Sequence, residues 1–246
     1  LNITTVLTSA RYRKSYNIFL KMFNKIFCVS DDDYHQIKMN ISNDEIYKIG
    51  NPRYDRILNN LENVEYKLDS SRQDEGSILI FASMWDEDNK IIFEKFINSP
   101  LVNHFKKVII VPHEVNDSYL NYYCSVLEDN DFSFKKINQY QNFNQFEEKY
   151  IIVNKVGFLS KLYAQSTITY VGGGFSKSGI HNIIEPAAAS NPVIFGSNFL
   201  NSNKFDAEGL IDVSGGFSVD SYELFTEKIN WLLDKNNYNN SSKNCK

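Results

Sequence analysis

Cysteine is scarce in these 246 residues, as are proline, methionine and tryptophan. Cys28, Cys124 and Cys245 are odd in number, lie far apart and form no C-x-x-C pair. That excludes a disulfide framework and a zinc-ribbon spacing. His35, His104, His113 and His181 do not cluster with them at zinc spacing, so the reading is three reduced thiols of a cytosolic protein. No apolar run approaches the ~20 residues that a spanning helix needs. No charged n-region followed by an apolar h-region opens the chain, so no signal peptide is expected. Leu1 is not an initiator, and an upstream segment of the gene product is expected. A net charge of −4 leaves no cationic excess, which argues against a nucleic-acid binder that works by bulk charge.

What is present is ordinary for a globular protein: 42% hydrophobic and 23% charged residues, which rules out disorder of the whole chain. A chain of this length buries roughly 70–75% of its unfolded surface. No internal repeat is seen.

The pattern alternates between strands and helices. Thr4–Ser9, Lys25–Ser30 and Glu45–Ile49 read as strands, with helical spacing at Tyr16–Phe23 and a helix from Asp31 to about Asn40. Gly50-Asn51-Pro52 stops the third strand. The stretch 56–76 is polar, with weak helical spacing from Ile57 to Leu68, and Asp69–Gly76 has no core-forming residue. It reads as a linker and as the best boundary. Beyond it Ser77–Ala82, Lys107–Val111, Ser133–Ile137, Tyr150–Val153, Thr167–Val171 and Pro192–Phe195 read as strands. Helices are expected at about Glu87–Ile97, Ser118–Leu127, Gly157–Gln165, Asn182–Ser190 and Tyr222–Asp234. The Asn/Ser/Lys-rich tail reads as frayed. The expected organisation is 1–56 as a small α/β unit, 57–76 as linker, 77–235 as a complete doubly wound α/β domain and 236–246 as a flexible tail.

In such sheets ligands bind beyond the carboxyl ends of the strands, so the turns after strands carry the candidates. The strongest runs from Thr169 to Asn191, TYVGGGFSKSGIHNIIEPAAASN. Gly173, Gly174, Ser176, Lys177, Ser178 and Gly179 form a loop suited to a phosphate, leading to a helix whose free N–H groups favour an anion. Ser176, Lys177, Ser178 and Asn182 can add side-chain donors. A tight turn with an Asn cap is the alternative. Glu185 suits the vicinal hydroxyls of a ribose, and equally a capping pair with Asn182. Pro112-His113-Glu114, Val156-Gly157-Phe158 and Ser83-Met84-Trp85 are further strand-end turns, and together they point to one shared crevice.

The segment GGGFSKSGIHNIIEPAAASNPVIFG resembles the signature of the 3-deoxy-D-manno-octulosonic acid (Kdo) transferases. Gly179, His181, Asn182 and Glu185 stand in register with G-x-H-N-x-x-E, followed by Pro192-Val193-Ile194-Phe195-Gly196. Ser197 stands where proline is usual. Gly50–Asp55 is similar to the family's G-N/D-x-[KR]-[FY]-D, Ala82-Ser83 to its A-S-x-[HW] turn, Pro112-His113 to its Pro-Arg or Pro-His pair, and Ser9-Ala10-Arg11 to its N/S-A-R segment. The resemblance covers nearly the whole chain.

It implies a GT-B-like α/β architecture: a doubly wound, Rossmann-like C-terminal domain plus the remnant of a second Rossmann-like domain on the acceptor side. It implies transfer of Kdo from CMP-Kdo to a lipid A precursor in lipopolysaccharide biosynthesis, by an enzyme at the cytoplasmic face of the bacterial inner membrane, with no cofactor and no metal. By carry-over Pro112, His113, Gly157, Phe158, Leu159, Asn182, Ile183, Ile184 and Glu185 contact the CMP. Phe158 stands where many members have Glu, so only a main-chain contact is implied there. No stretch resembles the family's Gly-rich turn that carries the general base. The resemblance therefore implies a soluble, donor-binding piece that does not turn over by itself, with peripheral membrane contact through the part not represented. Another GT-B enzyme, a glycosyltransferase or a UDP-sugar 2-epimerase, and a nucleotide-binding module without activity are the alternatives.

Overall fold

The computed structural model describes residues 4–67, 77–200 and 203–245. The chain divides into a unit of residues 1–59 and a unit of residues 60–246. The linker stretch Asp69–Gly76 lies outside the described residues.

In the first unit, β1 (Val6–Ala10), β2 (Lys25–Cys28) and β3 (Ile46–Lys48) form a three-stranded parallel sheet. A short helix, α1 (Asn17–Leu20), precedes β2, and α2 (Asp31–Asn40) follows it. The start of α2 follows from its residues. Ser30 Oγ accepts from the Asp33 N–H at 3.1 Å, and Asp31, Asp32 and Asp33 place three carboxylates in the first turn. That is the end of a helix where negative charge is favoured. Ile26, Cys28, Ile37 and Ile46 close a small core.

The next helix, α3 (Pro52–Glu62), crosses the boundary between the units. Sequence spacing placed helical character later, from Ile57, but the helix starts at Pro52. Proline suits a first helical position because its missing N–H would have no partner there, and Asn51 Oδ1 takes the Arg53 N–H at 3.1 Å. The segment 57–67 is therefore not plain linker: Val64 is buried, and the Tyr66 N–H and carbonyl both bond the Tyr140 hydroxyl, at 3.2 and 3.0 Å.

The second unit carries β4 (Ser77–Met84), β5 (Phe105–Pro112), β6 (Phe134–Ile137), β7 (Tyr150–Val153), β8 (Ile168–Val171), β9 (Val193–Gly196) and β10 (Gly216–Val219). They form one parallel sheet in the order β10-β9-β8-β4-β5-β7-β6. The helices between them are α4 (Asp86–Asp88), α5 (Glu94–Ile97), α6 (Asp117–Glu128), α7 (Leu159–Leu162), α8 (Ile184–Ala188), α9 (Lys204–Asp212), α10 (Tyr222–Leu233) and α11 (Lys235–Asn244). A π-helical turn, Asn89–Phe93, joins α4 to α5.

Continuous apolar strands are what a sheet covered on both faces requires. Alternate residues of each strand serve opposite faces. Leu79, Phe81, Val108, Ile110 and Ile152 pack with α5, α6 and α10 on one side. Ile78, Ile80, Ile109, Val111 and Ile151 pack with α7, α8 and α9 on the other. The chain leaves β4 toward β5 and later returns to β8 on β4's other side, so the strand order reverses there. That is the switch point at which open α/β sheets bind ligands.

Two expectations are corrected. The edge strand β10 and the helix α9 have no counterpart in the sequence reading, because Gly216–Val219 has little apolar character to mark it. The tail is not a flexible segment, since α11 is a packed helix. Asp234 Oδ1 accepts from the N–H groups of Asn236 and Asn237, each at 3.0 Å. Ser241, Ser242 and Asn244 bond the carbonyls of Ser214, Ser190 and Val213, each at 2.7 Å. Tyr238 joins the core on one face of the sheet and Cys245 the core on the other. The composition hid this because polar bonds to main-chain carbonyls hold the helix, with only two buried apolar anchors. Deleting residues 235–246 should lower the melting temperature by about 4–12 °C. One buried aromatic is worth about 2–3 kcal/mol, and each kcal/mol is worth roughly 2–4 °C in a unit of this size. An unchanged melt by circular dichroism would show the helix to be dispensable.

Candidate functional site

Because all seven strands run parallel, the turns after β4, β5, β7, β8 and β9 lie on one edge of the sheet. Three of them meet in a ring stack. Trp85 follows β4, His113 follows β5, and His181 sits in the loop after β8. The Trp85 and His113 rings are stacked at 4.0 Å with an 18° tilt. His113 and His181 are 4.4 Å apart, and the Trp85 indole N–H donates to His181 Nε2 at 2.9 Å. All three side chains are half-buried. Burial pulls both imidazoles below their ordinary range. At His113 the neighbouring Glu114 offsets part of this, and at His181 the nearby His113 adds to it.

Beneath the stack lies a residue that sequence reasoning did not single out. Asp88 is fully buried, at 0% exposure. Its Oδ1 accepts from the Tyr170 hydroxyl at 2.6 Å, and its Oδ2 from the N–H groups of Gly173 at 2.8 Å and Trp85 at 3.1 Å. One carboxylate thus joins the end of β8, the glycine turn and the start of α4. Burial raises its pKa above the ordinary 3.8, the three donors pull it back in part, and Glu87 adds a small further push upward. The only signal in the sequence was an acidic residue in the first turn after a strand.

The glycines have a different first duty from the one expected. Gly174 and Gly196 cross so closely that a Cβ on Gly174 would lie 2.5 Å from Gly196 Cα, and one on Gly196 would lie 2.4 Å from the Gly174 carbonyl carbon. Gly173 has φ of +94°, which side chains rarely adopt. These residues let the loop after β8 lie against the loop after β9 as well as turn. The loop is then pinned. Asn198 Nδ2 bonds the Ser176 carbonyl, and the Asn198 N–H bonds the Gly174 carbonyl at 2.9 Å. Asn203 Nδ2 bonds the carbonyls of Ile180 and His181 at 2.7 and 3.1 Å.

Ser176 corrects its expected role as an outward donor. Its buried hydroxyl donates to the Gly173 carbonyl at 2.9 Å and accepts from the Ser178 N–H at 3.2 Å, so it builds the loop. Lys177 and Ser178 are exposed. The main-chain N–H groups of Phe175 and Lys177 have no acceptor among the described residues.

The helix expected over 182–190 is the five-residue α8. Pro186 removes one N–H from its ladder, and Ser190, with φ of +63°, stops it. Asn182 Oδ1 accepts from the Ile184 N–H at 3.1 Å, and its Nδ2 donates to Glu185 Oε1 at 2.8 Å. Asn182 and Glu185 are thus paired at the helix entrance. Ile183 is fully buried, while Ile184 and Glu185 are half-buried. After β7, Gly157 takes φ of +104°, and Phe158 buries its ring in the same cluster as Ile180 and Ile183. Any contact at Phe158 is therefore a main-chain one. Leu159 opens α7, and Pro112 ends β5. Among the described residues no group of three or more His, Cys, Asp or Glu could hold a metal ion, and no helix is long and apolar enough to cross a membrane.

No family model matches the chain. A 3-deoxy-D-manno-octulosonic acid transferase of Rickettsia felis is 25% identical over 241 residues, covering 92% of this chain and 47% of that protein. A bifunctional glycosyltransferase/methyltransferase of Fusobacterium nucleatum is 27% identical over 235 residues, covering 92% of this chain and 36% of that protein. The chain spans about half the length, or less, of the curated relatives it matches. The C-terminal CMP-Kdo binding domain of WaaA from Acinetobacter baumannii superimposes with a TM-score of 0.52 at 15% identity, over 78% of this chain and 96% of that one. That likeness establishes the fold, an α/β unit with a seven-stranded parallel sheet of the GT-B kind. Sequence likeness to the 3-deoxy-D-manno-octulosonic acid transferases, at 25% identity, runs through nine-tenths of this chain.

Proposed function

We propose that this chain holds the donor nucleotide sugar, CMP-Kdo, for transfer of Kdo to a lipid A precursor in lipopolysaccharide synthesis at the cytoplasmic face of the inner membrane. The observation that carries the reading is the convergence of Trp85, His113, His181, Asn182 and Glu185 on the switch-point edge of the sheet, in the turns that match the Kdo transferase motifs. In this reading residues 77–235 are the CMP-sugar-binding domain and residues 1–56 the remnant of an acceptor-side domain.

The roles follow from the groups. Pro112 and His113 offer a flat surface at the end of β5 for the cytosine ring. The main chain of Gly157, Phe158 and Leu159 lies at the next strand end. Glu185 takes the ribose hydroxyls, with Asn182 orienting its carboxylate through the 2.8 Å bond. The phosphate sits against the Gly173–Gly179 loop, where the N–H groups of Phe175 and Lys177 and the Lys177 ammonium face a developing negative charge. Donors already in place when the CMP leaves need no reorganisation, which is how such loops lower a barrier. The acceptor side, including the general base, is supplied from outside these residues.

Calorimetric titration with CMP and with UDP tests the assignment. Cytosine presents an amino donor at C4 where uracil presents a carbonyl acceptor, so a site bonded to one leaves a polar group unpaired with the other. CMP should bind at least about tenfold more tightly than UDP, which is ~1.4 kcal/mol. Equal binding, or preference for UDP, would move the chain to another nucleotide-sugar class.

A further inference from the structure

The bond between Trp85 and His181 fixes more than a ring position. An indole N–H can only donate, so the lone pair it meets must lie on His181 Nε2, 2.9 Å away. A neutral imidazole carries one ring proton, which places it on Nδ1. A second proton would sit on Nε2 and face the indole hydrogen, donor against donor. Resting on the donor-site reading above, we infer that Trp85 holds His181 as a neutral imidazole with its proton on Nδ1, and that this N–H donates to a phosphate oxygen of the nucleotide. Trp85 is then a positioning residue, and His181 a binding residue.

The surroundings agree. The Cδ2 edge of the ring lies against Gly173, 3.3 Å from where a Cβ would stand. One ring face lies 4.4 Å from His113. The main chain is clamped on both sides, with the N–H on the Gly172 carbonyl at 3.3 Å and the carbonyl on Asn203. The edge that remains is the one carrying Nδ1, and that atom has no hydrogen-bond partner among the described residues. The charged and titratable groups nearby are His113 across the stack, Glu114 next to it, Asp88 under Gly173, Lys177 in the loop and Glu185 beyond Asn182. Burial and His113 both lower the His181 pKa, in keeping with a neutral ring.

A neutral N–H can bind a phosphate oxygen at constant strength as the pH moves through the ordinary imidazole range, where a free histidine would change charge. It also leaves Lys177 as the one cation of the loop. A phosphate beside a second, stacked imidazole gains a directed hydrogen bond without the repulsion that two adjacent imidazolium rings would bring.

The test is ¹⁵N NMR of the imidazoles at pH 7 in the unsubstituted chain, Trp85→Phe, His181→Asn and His181→Ala, each titrated with CMP and with cytidine. In the unsubstituted chain His181 should carry its proton on Nδ1. Its signal should move saturably with CMP and stay put with cytidine, which lacks the phosphate. Trp85→Phe should release the tautomer toward Nε2 and weaken CMP about fivefold. His181→Ala should weaken CMP about tenfold, the scale of one hydrogen bond to a charged group. His181→Asn, whose amide nitrogen falls near the Nδ1 position, should stay within about threefold of the unsubstituted chain.

A proton on Nε2 in the unsubstituted chain overturns the inference. So does CMP binding that saturates without moving the His181 signal, or a shift produced equally by cytidine. If Trp85→Phe does not fold, the unsubstituted chain and the two His181 variants decide the matter. Absence of any saturable CMP binding sinks the donor-site reading and this contact with it, whereas the tautomer read without nucleotide reports on the Trp85 bond alone.

Discussion

Replacing Asp88 by alanine should destabilise the protein by about 3–9 kcal/mol, while replacing it by asparagine should cost no more than about 1 kcal/mol. The carboxylate accepts three hydrogen bonds in a site with no exposure. Alanine leaves the N–H groups of Gly173 and Trp85 and the Tyr170 hydroxyl without an acceptor, each worth about 1–3 kcal/mol when stranded away from water. Set against a total stability of about 5–15 kcal/mol, that can unfold a marginal domain. Asparagine can keep the arrangement. Its carbonyl oxygen takes the Oδ2 position and accepts both N–H groups. Its amide takes the Oδ1 position, and the Tyr170 hydroxyl rotates to accept instead of donate.

The two variants separate charge from acceptor. Burial raises the Asp88 pKa, so the folded state holds the proton more tightly than the unfolded chain. The stabilisation linked to that proton is complete below the ordinary 3.8 and is lost as pH rises through the folded-state value. Asparagine has no such loss, so the variant should gain on the unsubstituted chain as the pH rises above the ordinary 3.8 in urea melts. A variant that loses ground as the pH rises, or an alanine variant as stable as the asparagine one, would show that the carboxylate works by charge.

Asp88 also marks where sequence reading stopped. Strands that are apolar throughout were legible almost to the residue: Tyr150–Val153 has the same limits in the structure, and Ser77–Ala82 is lengthened only to Met84. A fully covered parallel strand leaves no polar position to blur its ends. Trp85 and His113 were legible because each comes straight after an apolar run, and His181, Asn182 and Glu185 because they close a glycine-rich turn after one. Their joining was not. The Trp85–His181 bond spans 96 positions of sequence and depends on the order in which strands pair, which local spacing does not encode.

The glycines were legible as a turn, but their reason was half hidden. A run of three suggests close approach, and nothing in the run says that Gly174 approaches Gly196. The partner lies at the end of the neighbouring strand, 22 positions on. Elements held by polar bonds were the least legible. α11 has two apolar anchors among ten residues and a following cysteine, so composition assigned it to a tail. Its stability resides in carbonyls supplied by Val213, Ser214 and Ser190, which only the folded chain presents together.

Replacing Glu185 by glutamine should weaken CMP binding roughly 10- to 100-fold and move the melting temperature by no more than about 3 °C. The first figure is the value of a charge-assisted hydrogen bond, about 1.5–3 kcal/mol, converted to an equilibrium constant. A carboxylate accepts from both hydroxyls of a ribose, while an amide offers one acceptor and turns a donor toward the second hydroxyl. The second figure follows from the local geometry. Asn182 donates to Glu185 Oε1 at 2.8 Å, and the glutamine carbonyl can accept the same bond. Asn182 Oδ1 still takes the Ile184 N–H at 3.1 Å, so the entrance to α8 keeps its cap. The two roles open to Glu185 thus predict opposite results. A cap that keeps its hydrogen bond leaves nucleotide affinity alone. A ribose ligand that loses its charge leaves the melt alone and releases the nucleotide. Calorimetric titration of both proteins with CMP, beside their thermal melts, distinguishes them: unchanged affinity in the glutamine variant removes Glu185 from the nucleotide and leaves it as the partner of Asn182.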